Sequence, residues 1–216
     1  MRILFFDTET NGLPRDRKSL TQDTRAWPHV VQIAWQLWEY SAEAATLVNK
    51  TTHIIKPDES LVWDQGSAAI HGISRERALA EGAPGISVLD EFKAIASTVN
   101  VLIAHNIAFD KPVLRASYYR INPSEDFDWW PGVEYCTMEG SKMLCKLPTR
   151  YAKPGDPYKY PKLSELVSYL HGSSDGYAFH SADADVECLR VCFDELVRRK
   201  VVPFDLWLRT LRVCAT

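Results

Sequence analysis

Arg2-Ile3-Leu4-Phe5-Phe6-Asp7-Thr8-Glu9-Thr10-Asn11-Gly12-Leu13 changes character half-way along. Residues 2–6 are an apolar run of strand formers, and the acidic and turn residues from Asp7 to Gly12 stop it as the end of a buried strand does. Side chains alternate across a pleated strand, so Asp7 and Glu9 share one face while Phe6 and Thr8 share the other. Two carboxylates on one face suit a divalent cation. The pattern is not rare, since Asp185 and Glu187 repeat it. Its weight comes from its place at the carboxyl end of a strand, where α/β sheets build their sites.

Beyond a polar stretch, Val31, Ile33, Trp35 and Leu37 alternate with Gln32, Ala34 and Gln36, the period of a half-buried strand. Residues 47–55 read as a third strand paired with it. From Ser67 the period becomes helical, through Ile70, Ile73 and Ala78 and then Val88, Leu89, Phe92, Ile95, Ala96 and Val99. This predicts two helices, with Ser87 as an N-cap. Val101-Leu102-Ile103-Ala104 is too short for a helix and reads as a buried strand, followed by His105-Asn106 and a helix from near Phe109 to before Pro123. Tyr135-Cys136-Thr137 reads as a further short strand, 146–161 as a long loop, and 163–170, 182–198 and 204–213 as amphipathic helices. The order predicts an α/β fold, a mixed sheet of about five strands flanked by α-helices.

Composition bounds what such a domain does. The chain has 216 residues, enough for one elaborated domain over 1–216, with 200–216 as a helical tail that packs on it. The formal net charge of -3 excludes holding a polyanion through a global positive field, so any grip is local. Five Cys form no CxxC pair and read as free thiols. No apolar run approaches the ~18 residues of a membrane span, and the apolar start meets Asp7 too early for a signal peptide. The expectation is a cytoplasmic protein with no membrane partner.

Two further segments bring acids to strand ends. Asp110 falls on the first turn of the helix after residues 101–104, and His180 precedes a helix that holds Asp185 about one turn inside it. Taken in order, Asp7-Thr8-Glu9-Thr10-Asn11-Gly12-Leu13, His105-Asn106-x-x-Phe109-Asp110 and His180-x4-Asp185 resemble the three motifs of the DEDDh exonucleases. These are DnaQ-like 3′-to-5′ exonucleases of the ribonuclease-H-like fold. The resemblance runs over about 1–199 and includes Ile70-His71-Gly72-Ile73. Ser181 stands where the sister group with a catalytic Tyr would need that Tyr, so the His version is implied.

The resemblance implies a catalytic set of Asp7, Glu9, Asp110, His180 and Asp185, in which the four acids hold two Mg²⁺ or Mn²⁺ ions and Asp7 bridges them. Four carboxylates balance two such ions, so a loaded site admits a phosphate that bare acids repel. His180 would take the proton from the attacking water. Imidazole is the side chain that changes charge nearest neutral pH, which suits that role. The terminal nucleotide would lie against Leu13 and the backbone of Thr10 to Gly12, with His71, Asn106 and Phe109 completing the pocket. The implied substrate is DNA with a single-stranded or frayed 3′ end, and RNA is the nearest rival because no residue in the sequence reads a 2′ hydroxyl. A non-catalytic module binding nucleic acid or a polymerase is the alternative of another class. A polymerase or a second copy of the chain stays open as partner. Between Lys142 and Lys162 six basic residues face one acid, interleaved with Tyr151, Tyr158 and Tyr160, a composition that suits guiding a single strand. Trp129-Trp130 reads as buried packing at a turn rather than a stacking platform.

Overall fold

The computed structural model describes residues 1–124 and 129–203. The helix expected at 204–213 lies outside the described residues, as does Cys214. Strands β1 (Arg2–Thr10), β2 (Val30–Tyr40) and β3 (Ala45–Ile54) form an antiparallel meander. Strand β4 (Val101–Ala104) pairs with β1 in parallel and β5 (Glu134–Cys136) with β4 in parallel, giving a five-stranded sheet in the order β3-β2-β1-β4-β5. This is the α/β mixed sheet expected. Parallel pairing turns the carboxyl ends of β1 and β4 to the same edge, where site residues collect.

Alternation along β1 divides the interior in two. Leu4 and Phe6 pack with Ile33, Trp35, α3 (Gly85–Ala96) and α4 (Ile107–Ile121). Ile3 and Phe5 pack on the other face with Val101, α6 (Leu163–His171) and α7 (Ala182–Arg198). Helix α7 buries Val186, Leu189, Phe193 and Leu196 at helical spacing, each worth roughly 1.5–3 kcal/mol on full burial. That stripe fixes which side of α7 meets the sheet. Cys136, Cys145, Cys188 and Cys192 are buried free thiols, as expected. Trp130 packs edge-on to Phe6 at 5.7 Å between ring centroids, which fits the packing reading of the Trp pair.

Several boundaries differ from the sequence reading. Three helices, not two, lie between β3 and β4, because α1 (Gln65–His71) and α2 (Arg75–Glu81) each end at a glycine, Gly72 and Gly82. Helix α3 starts after Pro84 rather than at Ser87. A parallel bridge from Ile55 to Ala83 delivers the chain to Pro84, so the helix begins as soon as that bridge ends. Helix α4 begins at Ile107, two residues before Phe109. Thr137 is not strand but the first residue of α5 (Thr137–Cys145). The expected loop 146–161 contains a hairpin, β6 (Pro148–Lys153) against β7 (Asp156–Tyr158). Pro154-Gly155 makes its turn, with Gly155 at φ 81°, the residue pattern of a type II turn.

Gly82 marks a close crossing. A Cβ there would stand 2.5 Å from the Lys56 nitrogen and 2.3 Å from the Ala78 oxygen, both backbone atoms that cannot yield. Gly82→Ala is expected to destabilise the fold by about 1–3 kcal/mol, read as a lowered urea midpoint. An unchanged midpoint would show that the crossing relaxes freely.

Candidate active site

The division of β1 decides how the acids meet. Asp7 and Glu9 continue the face of Ile3 and Phe5, on which α7 packs, and one carboxylate oxygen each from Asp7, Glu9 and Asp185 lie within 4.8 Å of one another. Asp110 comes from α4 on the opposite face. Its Oδ1 accepts the hydroxyl of Thr8 at 2.7 Å, and the side chain is almost wholly buried. Thr8 points away from Asp7 and Glu9, and that is why it can hold the acid of the other face. Sequence reasoning passed over Thr8. Its alternation was the only available signal, and nothing in the residue itself points to a site.

The crowding shows in the acidities. Burial first, and then Asp110, Asp185 and Glu9, hold the Asp7 carboxyl well above the usual range. Burial, then Asp185 and Asp110, push Glu9 up to about 7. Burial raises Asp110 too, against the pull of the Thr8 hydrogen bonds. Asp185 is pushed up to about 6, again mainly by burial, with the His180 backbone N–H opposing. Acids so arranged repel one another. Oxygen-only donors of this kind fit Mg²⁺ or Mn²⁺ better than Zn²⁺.

His180 lies exposed beside this cluster, two residues before α7. Its backbone is in the left-handed region, φ 67°, and its N–H donates to Asp185 Oδ2 at 3.2 Å. His180 and Asp185 are thus tied together. Asn106 is also left-handed, φ 76°, a conformation that Asn tolerates better than most residues, and it starts α4 three residues before Phe109.

The loop after β1 is held in shape by its own polar atoms. Thr10 Oγ1 donates to the Gly12 carbonyl at 2.8 Å, and Gly12 takes φ 106°. Asn11 donates to the Val62 carbonyl at 2.8 Å and accepts the Asp64 N–H at 2.7 Å. Leu13 is 75% exposed, so it is not a core residue. Phe109 is half-buried against the α3–α4 core. His71 is buried, with Nδ1 accepting the Ile73 N–H and Nε2 without a partner. A groove of 1190 Å³ starts at Asn11 and Leu13 and passes Trp63, His29 and Arg120, and the acids lie outside its lining. Of the implied residues, the structure therefore gathers the four acids and His180 at one sheet edge. Thr10, Gly12 and Leu13 follow on from them, and His71 has Asp64 as its charged neighbour.

Among the described residues, no helix is long and apolar enough to cross a membrane. Comparison with solved structures finds E. coli Exonuclease I in complex with a dA16 oligonucleotide, at 17% identity and TM-score 0.67 over 90% of this chain and 40% of that one. The zinc-bound form of an E. coli ExoI–ssDNA complex matches at 19% and 0.69, over 94% and 42%. A moderately thermophilic Exonuclease I from Methylocaldum szegediense matches at 18% and 0.66, over 92% and 40%. At these identities the likeness establishes the fold, and the chain spans about two fifths of the length of those enzymes. No curated protein sequence gives a significant match. The RNase T family model, described as exonuclease, matches residues 4–190. The chain belongs to the RNase T exonuclease family.

Proposed function

We propose that residues 1–216 form one domain that removes nucleoside 5′-monophosphates from the 3′ ends of single-stranded or frayed DNA. The observation behind this reading is the approach of Asp7, Glu9 and Asp185 within 4.8 Å, with Asp110 beside them. Those four residues would hold two Mg²⁺ or Mn²⁺ ions. Bound there, the ions would supply charge for activating water and stabilising the leaving oxyanion. The raised carboxyl pKa values, set by burial first and by mutual repulsion second, support such loading, since a bound cation would stabilise the ionised forms. His180, exposed and hydrogen-bonded through its backbone to Asp185, accepts the proton of the attacking water. Leu13, Thr10, Gly12, Asn106, Phe109 and His71 orient the terminal nucleotide. Exonuclease I structures hold dA16 and dT13 oligonucleotides, which supports single-stranded DNA as the substrate.

The β6–β7 hairpin supports the same reading. Three residues past its return strand, the Pro161 carbonyl lies 3.0 Å from Nε2 of His105, the residue before Asn106. Ion pairs occupy Lys142 with Asp156 and Lys159 with Glu165. That leaves Lys146, Arg150, Lys153 and Lys162, with Tyr151 73% exposed and Arg150 stacked 4.8 Å over its ring. Neutralising Arg150, Lys153 and Lys162 together is expected to weaken binding of a single strand about tenfold and lower its salt slope by about 2–3. Unchanged affinity would remove the hairpin from the strand's path.

The deciding experiment is Mg²⁺-dependent digestion of matched 5′-labelled single-stranded DNA and RNA. A one-nucleotide ladder on DNA is the expected result. A ladder on RNA alone would reassign the substrate, and binding without cleavage of either would overturn the exonuclease reading in favour of a binding module.

A further inference from the structure

Helix α7 holds Asp185, yet its own N-cap side chain leaves it uncapped. Ser181 occupies the N-cap position and makes no side-chain capping bond. The acceptor arrives from across the sheet: Gln32 Oε1, on β2, takes the Ala182 N–H at 2.9 Å. Gln32 is only 6% exposed. It is also the direct partner of Glu9 in the β1–β2 register, so its side chain rises from the face that bears the acids. A helix leaves its first N–H groups without internal partners, and satisfying one of them with a buried, directional bond fixes where the helix begins.

We infer that Gln32 is a positioning residue of the exonuclease site, its amide oxygen fixing the first turn of α7, and with it Asp185 and His180, against Asp7 and Glu9. The inference rests on the roles proposed above for those residues. An apolar stripe holds α7 on the sheet but is non-directional, whereas one hydrogen bond at the end of the helix sets its axial position. His180 is tied through its N–H to Asp185 at 3.2 Å, so a slip of that first turn displaces both groups together. Displacements of this size matter because active sites lose about 100-fold for a misplacement near 1 Å. Gln32 also accounts for the choice of residue at an otherwise apolar stretch of β2, where Val31, Ile33, Ala34 and Trp35 are buried around it.

Two substitutions separate positioning from bulk packing. Gln32→Leu removes the acceptor at similar volume, while Gln32→Glu keeps an acceptor oxygen in front of the helix end, where negative charge is favourable. In metal-free protein without nucleic acid, the amides of 180–186 are expected to exchange with solvent at least about tenfold faster in Gln32→Leu, and at the wild-type rate in Gln32→Glu. In the Mg²⁺ assay, Gln32→Leu is expected to lower kcat by about 10- to 100-fold with KM within about threefold, and Gln32→Glu to regain most of that loss. Unchanged exchange in Gln32→Leu, or equal kcat losses in the two variants, would overturn the inference. Exchange is read without substrate, so an inactive wild type would sink the exonuclease reading and still leave the role of Gln32 decided. If Gln32→Leu does not fold, Gln32→Met makes the same comparison.

Discussion

Replacing Asp7 by Asn and Glu9 by Gln together is expected to abolish exonuclease activity, by at least about 10³-fold, while making the metal-free protein more stable at pH 8. The activity loss follows from removing two of the four oxygen ligands that would hold the ions. The stability gain follows from the raised pKa values of Asp7 and Glu9. A carboxyl whose pKa in the folded chain lies above its unfolded value binds its proton more tightly when folded. Between the unfolded value near 4.5 and the folded value of about 7 for Glu9, the native state therefore carries more protons, and stability falls as pH rises. Above that window the whole penalty is present. Amides cannot ionise, so the double variant escapes it by on the order of 2–3 kcal/mol at pH 8 and by nothing at pH 3.5, where both carboxyls are neutral. Comparing variant with wild type cancels the opposite trend of buried His29 and His105, which burial holds down near 4 in both proteins. Thermal melts in chelator at the two pH values check this, and adding Mg²⁺ should raise only the wild-type midpoint. A variant less stable than wild type at pH 8 would mean that the acids are structural residues.

His180→Asn is expected to lower kcat by about 10²- to 10⁴-fold with little change in KM. Asn is the informative replacement because His180 sits at φ 67°, which Asn adopts at little cost and Ala does not. The variant keeps the backbone N–H that reaches Asp185, so a loss in rate reports the imidazole rather than the fold. Single-turnover rates make the test sharper, since they separate the chemical step from product release. Near-wild-type rates in His180→Asn would reduce His180 to a residue of the turn.

How much of this was legible in the sequence depends on the length of each element and on what sets its ends. The apolar alternation of β1 and β2 and the run 101–104 come from burial on both faces of a sheet, and burial leaves a strong pattern. Ordered motifs with Asp7, Glu9, Asp110, His180 and Asp185 stood out because each falls at a strand end or helix start. Helix α5 was missed because Thr137 and Gly140 are poor helix formers, and packing overrides their propensity. The hairpin was missed although Pro154-Gly155 signals a turn, because β6 is exposed along most of its length and exposed strands lose their alternation. Thr8 and Gln32 were invisible as site residues. Their roles lie in pairing with atoms 102 and 150 positions away, and no local pattern encodes such a pairing.

Timing follows from the topology. The β1–β2–β3 meander joins neighbours in sequence and closes short loops, whereas the parallel β1–β4 pair and the docking of α7 on β1 close long ones. The acids arrive from positions 7, 110 and 185, so the cluster is complete only once the last of these long-range contacts is made. A partly folded chain presents Asp7 and Glu9 without Asp185 or the residue tied to it. Assembly of the complete acidic site is thus a late product of folding rather than an early one.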